Sequence, residues 1–183
     1  MKTLFLDRDG VINQRLPGAY VRHWDEFTFL PGVLPAIALL RRYFDRIVVV
    51  TNQQGIGKHL MTDAELHAVH QKMLQEIKKA GGHLDGIYFC PDLKSKPDNC
   101  RKPAPAMAIQ AQRDYPAISF SQSVMVGDSA SDMAFGRQLG MQTVLIETNG
   151  EEIIKLTKTP DWVDQRFPSL WAFAKNVERR TAG

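Results

Sequence analysis

The amino-acid sequence predicts an α/β fold, a doubly wound parallel sheet in three layers, on two observations. Short apolar runs alternate with helical hydrophobic stripes along the whole chain, the pattern of strands laid parallel through crossover helices. The run Ile47-Val48-Val49-Val50 is apolar at every position, as a strand covered on both faces must be. With 183 residues, 44% of them hydrophobic, the chain can bury one sizeable core, so residues 1–183 are expected to form a single domain.

Taken in order, the strand candidates are 2–6, 46–50, 86–89, 123–126 and 142–146, with a weaker sixth at Trp162-Val163. Val33, Ile37, Leu40 and Phe44 recur at helical spacing after the first strand. Leu66, Val69, Met73 and Ile77 mark a second helix, whose start Thr62-x-x-Glu65 is a capping box and whose end is Gly81-Gly82. A helix after Ser131 stops at Gly140, and Leu170, Phe173 and Val177 mark a last one. All these stripes read as core.

Charge and composition exclude several classes of function. The net charge is +3, from 23 basic and 20 acidic residues, and the basic ones are dispersed, so no nucleic-acid stripe forms. No segment reaches the roughly 18 consecutive apolar residues of a membrane helix, and Met1-Lys2-Thr3 runs straight into a strand rather than a signal peptide. A soluble, cytoplasmic, monomeric protein without nucleic-acid or membrane partners is expected. Cys90 and Cys100 stand ten apart in a polar loop, which suits reduced thiols or a metal clip better than a disulfide framework.

Three of the predicted strands end in polar residues that a core does not require. The first runs into Asp7-Arg8-Asp9-Gly10, the second into Thr51-Asn52 and the fourth into Gly127-Asp128. Ligands of open parallel sheets bind beyond the carboxyl ends of the strands, so these groups should converge on one crevice. Asp7 and Asp9, two apart, would face the same side of an extended chain. One carboxylate can then attack phosphorus while the other handles the proton of the leaving oxygen, although Asp-x-Asp-Gly also suits an ordinary turn. Asp128 and Asp132 would add two more carboxylates, a cluster that repels itself unless a hard cation such as Mg²⁺ sits among them. Helix capping is the competing reading for that pair. Thr51, Asn52, Arg8, Arg101 and Lys102 are candidate phosphate-binding groups.

The order Asp-x-Asp, Thr-Asn, Lys, Gly-Asp-x₄-Asp resembles the four motifs of the haloacid dehalogenase superfamily. The wider strings Phe5-Leu-Asp-Arg-Asp-Gly-Val-Ile-Asn13, Val50-Thr-Asn-Gln-Gln-Gly-Ile56, Asp85-Gly-Ile-Tyr-Phe-Cys-Pro91, Cys100-Arg-Lys-Pro103 and Met125-Val-Gly-Asp128 resemble one branch of it. That branch holds the D-glycero-D-manno-heptose 1,7-bisphosphate phosphatases and the histidinol-phosphate phosphatases, and the resemblance spans about residues 2–148. It implies a Rossmann-like sheet of order 3-2-1-4-5 and a Mg²⁺-dependent phosphatase acting on a small phosphate ester. In that scheme Asp7 is the nucleophile, and Asp9 is the acid and then the base. The metal would be held by Asp7, Asp128 and the backbone carbonyl of Asp9. Thr51, Asn52 and Lys102 would hold the phosphoryl oxygens, and Asp132 would orient the metal shell or Lys102. Asp9 would need a raised pKa to donate a proton, which the carboxylate cluster is expected to supply.

The chain departs from this branch in the loop before Arg101. Members commonly carry a zinc loop of the form Cys-x-His…Cys-x-Cys; here Cys90-Pro91-Asp92 and Asp98-Asn99-Cys100 replace two soft ligands by aspartate, so no structural Zn²⁺ is expected. His67 and His70 have no evident third ligand and are expected on the solvated surface. The short spacing between motifs leaves no room for a large cap domain, so the site should be open. Its expected walls are Asn13, Arg15, Tyr20, Val21, Gln53, Arg101 and the segment 90–100, with Arg101 suited to grip a second anionic group. Heptose bisphosphate is the favoured substrate and histidinol phosphate the alternative. The rival from another class is a phospho-acceptor signalling domain, which would not need Asp9. A nucleic-acid end-processing phosphatase would need a basic groove with stacking aromatics, and an inactive binding module would not need intact carboxylates.

Overall fold

The computed structural model describes residues 1–181. Six strands form one parallel sheet: β1 (Thr3–Leu6), β2 (Arg46–Asn52), β3 (Gly86–Cys90), β4 (Val124–Gly127), β5 (Gln142–Ile146) and β6 (Gln165–Phe167). Their order is β3-β2-β1-β4-β5-β6, with every neighbouring pair parallel. The five expected strands are present, and the order 3-2-1-4-5 holds. The sixth lies later than expected, because Pro160–Trp162 forms a 3₁₀ turn and pairing with β5 begins only at Gln165.

The helices are α1 (Val33–Leu40), α2 (Asp63–Lys79), α3 (Ala106–Asp114), α4 (Ala130–Gln138), α5 (Gly150–Leu156) and α6 (Leu170–Thr181). Alternation along the strands divides the core in two. Leu4, Leu6, Ile47, Val49, Val126, Val144 and Ile146 face a layer made by α1, α2 and α6. Phe5, Val48, Val50 and Met125 face Met107 and Ala111 of α3 and Phe135 of α4, while Leu145 packs on Met133 and on Leu156 of α5. These strands are buried on both faces, which is why their sequence shows no polar alternation.

The capping box at the start of α2 is present: Thr62 Oγ1 accepts from the Glu65 N–H, and Glu65 Oε2 accepts from the Thr62 N–H. The 3₁₀ turn Trp24–Glu26 is the regular element between Leu6 and Val33 among the described residues, so nothing there builds a cap. No helix among them is long and apolar enough to cross a membrane.

Candidate active site

Parallel pairing brings the carboxyl ends of β1, β2 and β4 side by side, with Leu6 registered against Val49 and Val126. Beyond those ends lies an open cleft of about 920 Å³, lined by Asp7, Asp9, Arg15, Thr51, Asn52 and Lys102 among others. Of the other expected walls, Tyr20, Val21, Gln53, Arg101 and two loop residues, Lys94 and Asn99, also line it.

Asp7 follows β1 directly, its N–H donating to the Val126 carbonyl at 2.9 Å, and its carboxylate is buried. Lys102 Nζ donates to Asp7 Oδ1 at 2.7 Å and to the Val50 carbonyl at 2.7 Å, and lies 2.6 Å from Asp132 Oδ1. Burial pushes the Asp7 carboxyl up to about 6, and Asp132 and Asp9 add to the rise against the opposing pull of Lys102. Lys102 is itself held above its usual value, because Asp132 and Asp7 outweigh its burial. A lone ion pair would have lowered Asp7; here one ammonium is shared between two carboxylates.

Asp132 serves two purposes. Its Oδ2 accepts from the Ser129 N–H at 3.1 Å and Oγ at 2.6 Å, closing the capping box of α4, while Oδ1 faces Lys102. It caps α4 and at the same time places a carboxylate oxygen beside Lys102. Asn52 likewise acts on Lys102: its Oδ1 accepts from the Lys102 N–H at 2.9 Å. Thr51, the penultimate residue of β2, is buried and accepts from Gln53 Nε2 at 2.9 Å.

Asp128 is wholly buried, and its carboxyl is driven up to about 8 by burial and by the charges of Asp7 and Asp132. Oxygens of Asp7, Asp128 and Asp132 lie within 4.8 Å of one another. Such a buried, all-oxygen, mutually repelling set fits a hard divalent cation of the Mg²⁺ kind. Lys102 stands against Asp7 and Asp132, and Asp128 is met by Arg15, whose Nη2 is 2.7 Å from Asp128 Oδ1 and 3.3 Å from the Asp9 carbonyl oxygen. The backbone here tolerates no side chain. Gly10 has φ +96°, and a Cβ there would stand 2.1 Å from Asp128 Oδ2; one on Gly127 would stand 2.2 Å from Asp132 Cβ. Gly127 is therefore required for close approach.

Asp9 differs from expectation. Burial pushes its carboxyl up, but the Arg8 charge and hydrogen bonds from Arg8, Asn13 and Gln53 outweigh that and leave it below the usual range. Arg8 Nη2 and Asn13 Nδ2 each donate to Oδ1 at 2.9 Å, and Gln53 Nε2 donates to Oδ2 at 2.9 Å. Asn13, expected as a cleft wall, is instead a buried support of Asp9, while Gln53 lines the cleft as expected and supports Asp9 as well. Arg8, expected to touch phosphate, turns its guanidinium inward and is fully buried. His70, expected on the surface, is buried against Arg8 with Nε2 3.1 Å from Nη1, while His67 is exposed.

The reading of Cys90 and Cys100 as reduced thiols or a metal clip is also corrected, since the two are joined as a disulfide with Cα atoms 5.5 Å apart. Asp92 stands close to both but is engaged by Lys96 Nζ at 2.6 Å and by the Cys100 N–H at 3.1 Å. Two sulfurs and one committed carboxylate do not make a closed four-ligand zinc site.

Fold and cleft together define a hydrolase of the phosphatase class. The HAD-hydrolase-like family matches residues 99–172. A D-glycero-alpha-D-manno-heptose-1,7-bisphosphate 7-phosphatase of Mycobacterium bovis is 36% identical over 95% of this chain and 90% of its own length. A D-glycero-beta-D-manno-heptose-1,7-bisphosphate 7-phosphatase of Bordetella bronchiseptica is 37% identical over 88% of this chain and 89% of its own. The crystal structure of the D,D-heptose 1,7-bisphosphate phosphatase from B. bronchiseptica, complexed with magnesium and phosphate, superposes with a TM-score of 0.88 at 34% identity, covering 98% of this chain and 99% of that one. The chain belongs to the haloacid dehalogenase superfamily, in the branch of the heptose bisphosphate phosphatases.

Proposed function

We propose that the protein removes the 7-phosphate of D-glycero-D-manno-heptose 1,7-bisphosphate with the help of Mg²⁺, as a cytoplasmic monomer of one domain. The observation that carries this reading is the Asp7 carboxylate at the cleft floor, paired with Lys102 at 2.7 Å, with Asp9 two residues on and the Asp128 carboxylate beside it. Relatives named for that activity, matching nearly the whole chain, supply the substrate.

In the proposed reaction the Asp7 carboxylate attacks phosphorus as the bond to the sugar oxygen breaks, and Asp9 gives its proton to that oxygen. Asp9 is ionised in the geometry described. A dianionic phosphate ester drawn alongside it opposes that charge and favours protonation. Asp9, again a carboxylate after that transfer, then takes a proton from water, whose oxygen attacks the aspartyl phosphate to release inorganic phosphate and restore Asp7. Lys102 and the Thr51 hydroxyl hold the phosphoryl oxygens, with Lys102 placed by Asp132 and Asn52. Mg²⁺, held by Asp7, Asp128 and the Asp9 carbonyl, would supply neutralisation of phosphate charge.

Arg101 supports a bisphosphorylated substrate. It lines the cleft and its Nη1 is buried without a hydrogen-bond partner, so a second anionic group would satisfy it. The test is a comparison of kcat/KM for the α and β anomers of the heptose bisphosphate and for histidinol phosphate. A preference for either heptose anomer is expected; a preference for histidinol phosphate would overturn the substrate assignment.

A further inference from the structure

We propose that His70, on α2 and outside the motifs of the site, positions Asp9 for proton transfer by fixing the guanidinium of Arg8. Arg8 occupies the slot between the two chemically active aspartates, at the edge of the cleft, yet its side chain is fully buried. Its Nη2 donates to Asp9 Oδ1 at 2.9 Å, its Nη1 contacts His70 Nε2 at 3.1 Å, and its Nε has no partner. Those two contacts, one at each end, fix the rotation of the guanidinium plane.

The chemistry of the contact assigns its direction. A guanidinium only donates, so His70 Nε2 accepts and the imidazole is neutral with its proton on Nδ1. Burial, and then the Arg8 charge, hold the ring in that form. His70 is 5% exposed, and the Phe89 ring lies edge-on to it at 6.3 Å, so the imidazole is held by packing as well. The chain His70–Arg8–Asp9 thus runs from the body of α2 to the carboxylate that must meet the leaving oxygen. Without His70 the guanidinium is anchored at the Asp9 end alone. It can then swing and take the Oδ1 of Asp9 with it, and small errors in the placement of a proton donor are costly.

This inference rests on the proposed phosphatase reaction, and its test separates the two. His70→Leu removes the acceptor, and His70→Gln replaces it with an amide oxygen. The measured quantity is kcat/KM, which covers steps only as far as leaving-group departure, for two esters: p-nitrophenyl phosphate, whose leaving group needs no proton, and an alkyl phosphate, whose leaving group does.

For His70→Leu the alkyl ester should lose at least about tenfold more than the nitrophenyl ester, a fraction of what a general acid is worth, and His70→Gln should restore most of the difference. Should His70→Leu fail to fold, His70→Asn, whose amide is too short to reach Arg8, carries the same comparison. Equal losses on both esters, or none, would overturn the inference and leave the phosphatase reading intact. Absence of turnover of either ester by the unsubstituted enzyme would overturn both.

Discussion

Lys102 Nζ and Asp7 Oδ1, 95 residues apart in sequence, meet at 2.7 Å in a buried ion pair beneath the cleft. The same ammonium also faces Asp132 at 2.6 Å, so it is the shared counter-charge of two buried carboxylates. Lys102→Met leaves both without it. Removing one partner of a buried pair costs about 3–5 kcal/mol, and denaturant unfolding should show a loss of that order together with loss of phosphatase activity. Lys102→Arg should not restore activity, because a planar fork cannot replace a point charge between Asp7, Asp132 and the Val50 carbonyl.

Gly10→Ala tests how tightly the first motif is pressed against the fourth. The added Cβ would lie 2.1 Å from Asp128 Oδ2, at a φ of +96° that side chains rarely adopt. Strain of about 1–3 kcal/mol is expected, with displacement of Asp128. Thermal unfolding with and without Mg²⁺ should show lower stability and a weaker response to the ion. An unchanged Mg²⁺ response would contradict the placement of Asp128 among the ligands.

Stabilisation by Mg²⁺ should grow with pH. The folded-state carboxyls of Asp7 and Asp128 are raised to about 6 and about 8, above the ordinary value of 3.8. The folded protein therefore binds more protons than the unfolded chain across that window, and without the ion these groups cost stability progressively as pH rises from about 4 to about 8. A divalent cation must displace those protons and then offsets the repulsion. The Mg²⁺-induced rise in Tm should be larger at about pH 8 than at about pH 6, and an equal or reversed difference would count against the cluster as the cation site.

The loop 90–100 should be free of zinc. Its cysteines are paired and Asp92 is committed to Lys96 and the Cys100 N–H, so metal analysis of the purified protein should find no stoichiometric Zn²⁺. Thiol titration under denaturing conditions should register both cysteines only after reduction. Stoichiometric zinc with two titratable thiols would reverse this assignment.

Much of the fold was legible because its signals are local. The apolar run of β2, the Thr62–Glu65 box and the glycines after α2 and α4 each act within a few residues, and the structure keeps them. Asp7, Thr51, Lys102, Asp128 and Asp132 converge because parallel pairing aligns strand ends, which strand identity alone foretells. The directions of side chains were not legible. Arg8 points inward because His70, 62 residues away, offers an acceptor there, and the amides of Asn13 and Gln53 turn to Asp9 for a like reason. The lowered pKa of Asp9 follows from those three donors, whereas the sequence displays only the carboxylates around it. No periodicity announced Arg15 as a partner of Asp128, and the pairing of Cys90 with Cys100 depends on how β3 and the following loop bring the two together.

The central claim is that Asp7 takes the phosphoryl group, and the direct measurement is Mg²⁺-dependent hydrolysis of the heptose bisphosphate by Asp7→Asn beside the unsubstituted enzyme. An amide at this position cannot serve as the nucleophile, so kcat/KM should fall by at least about a thousandfold while circular dichroism shows the fold retained. Near-normal turnover by Asp7→Asn would contradict the account.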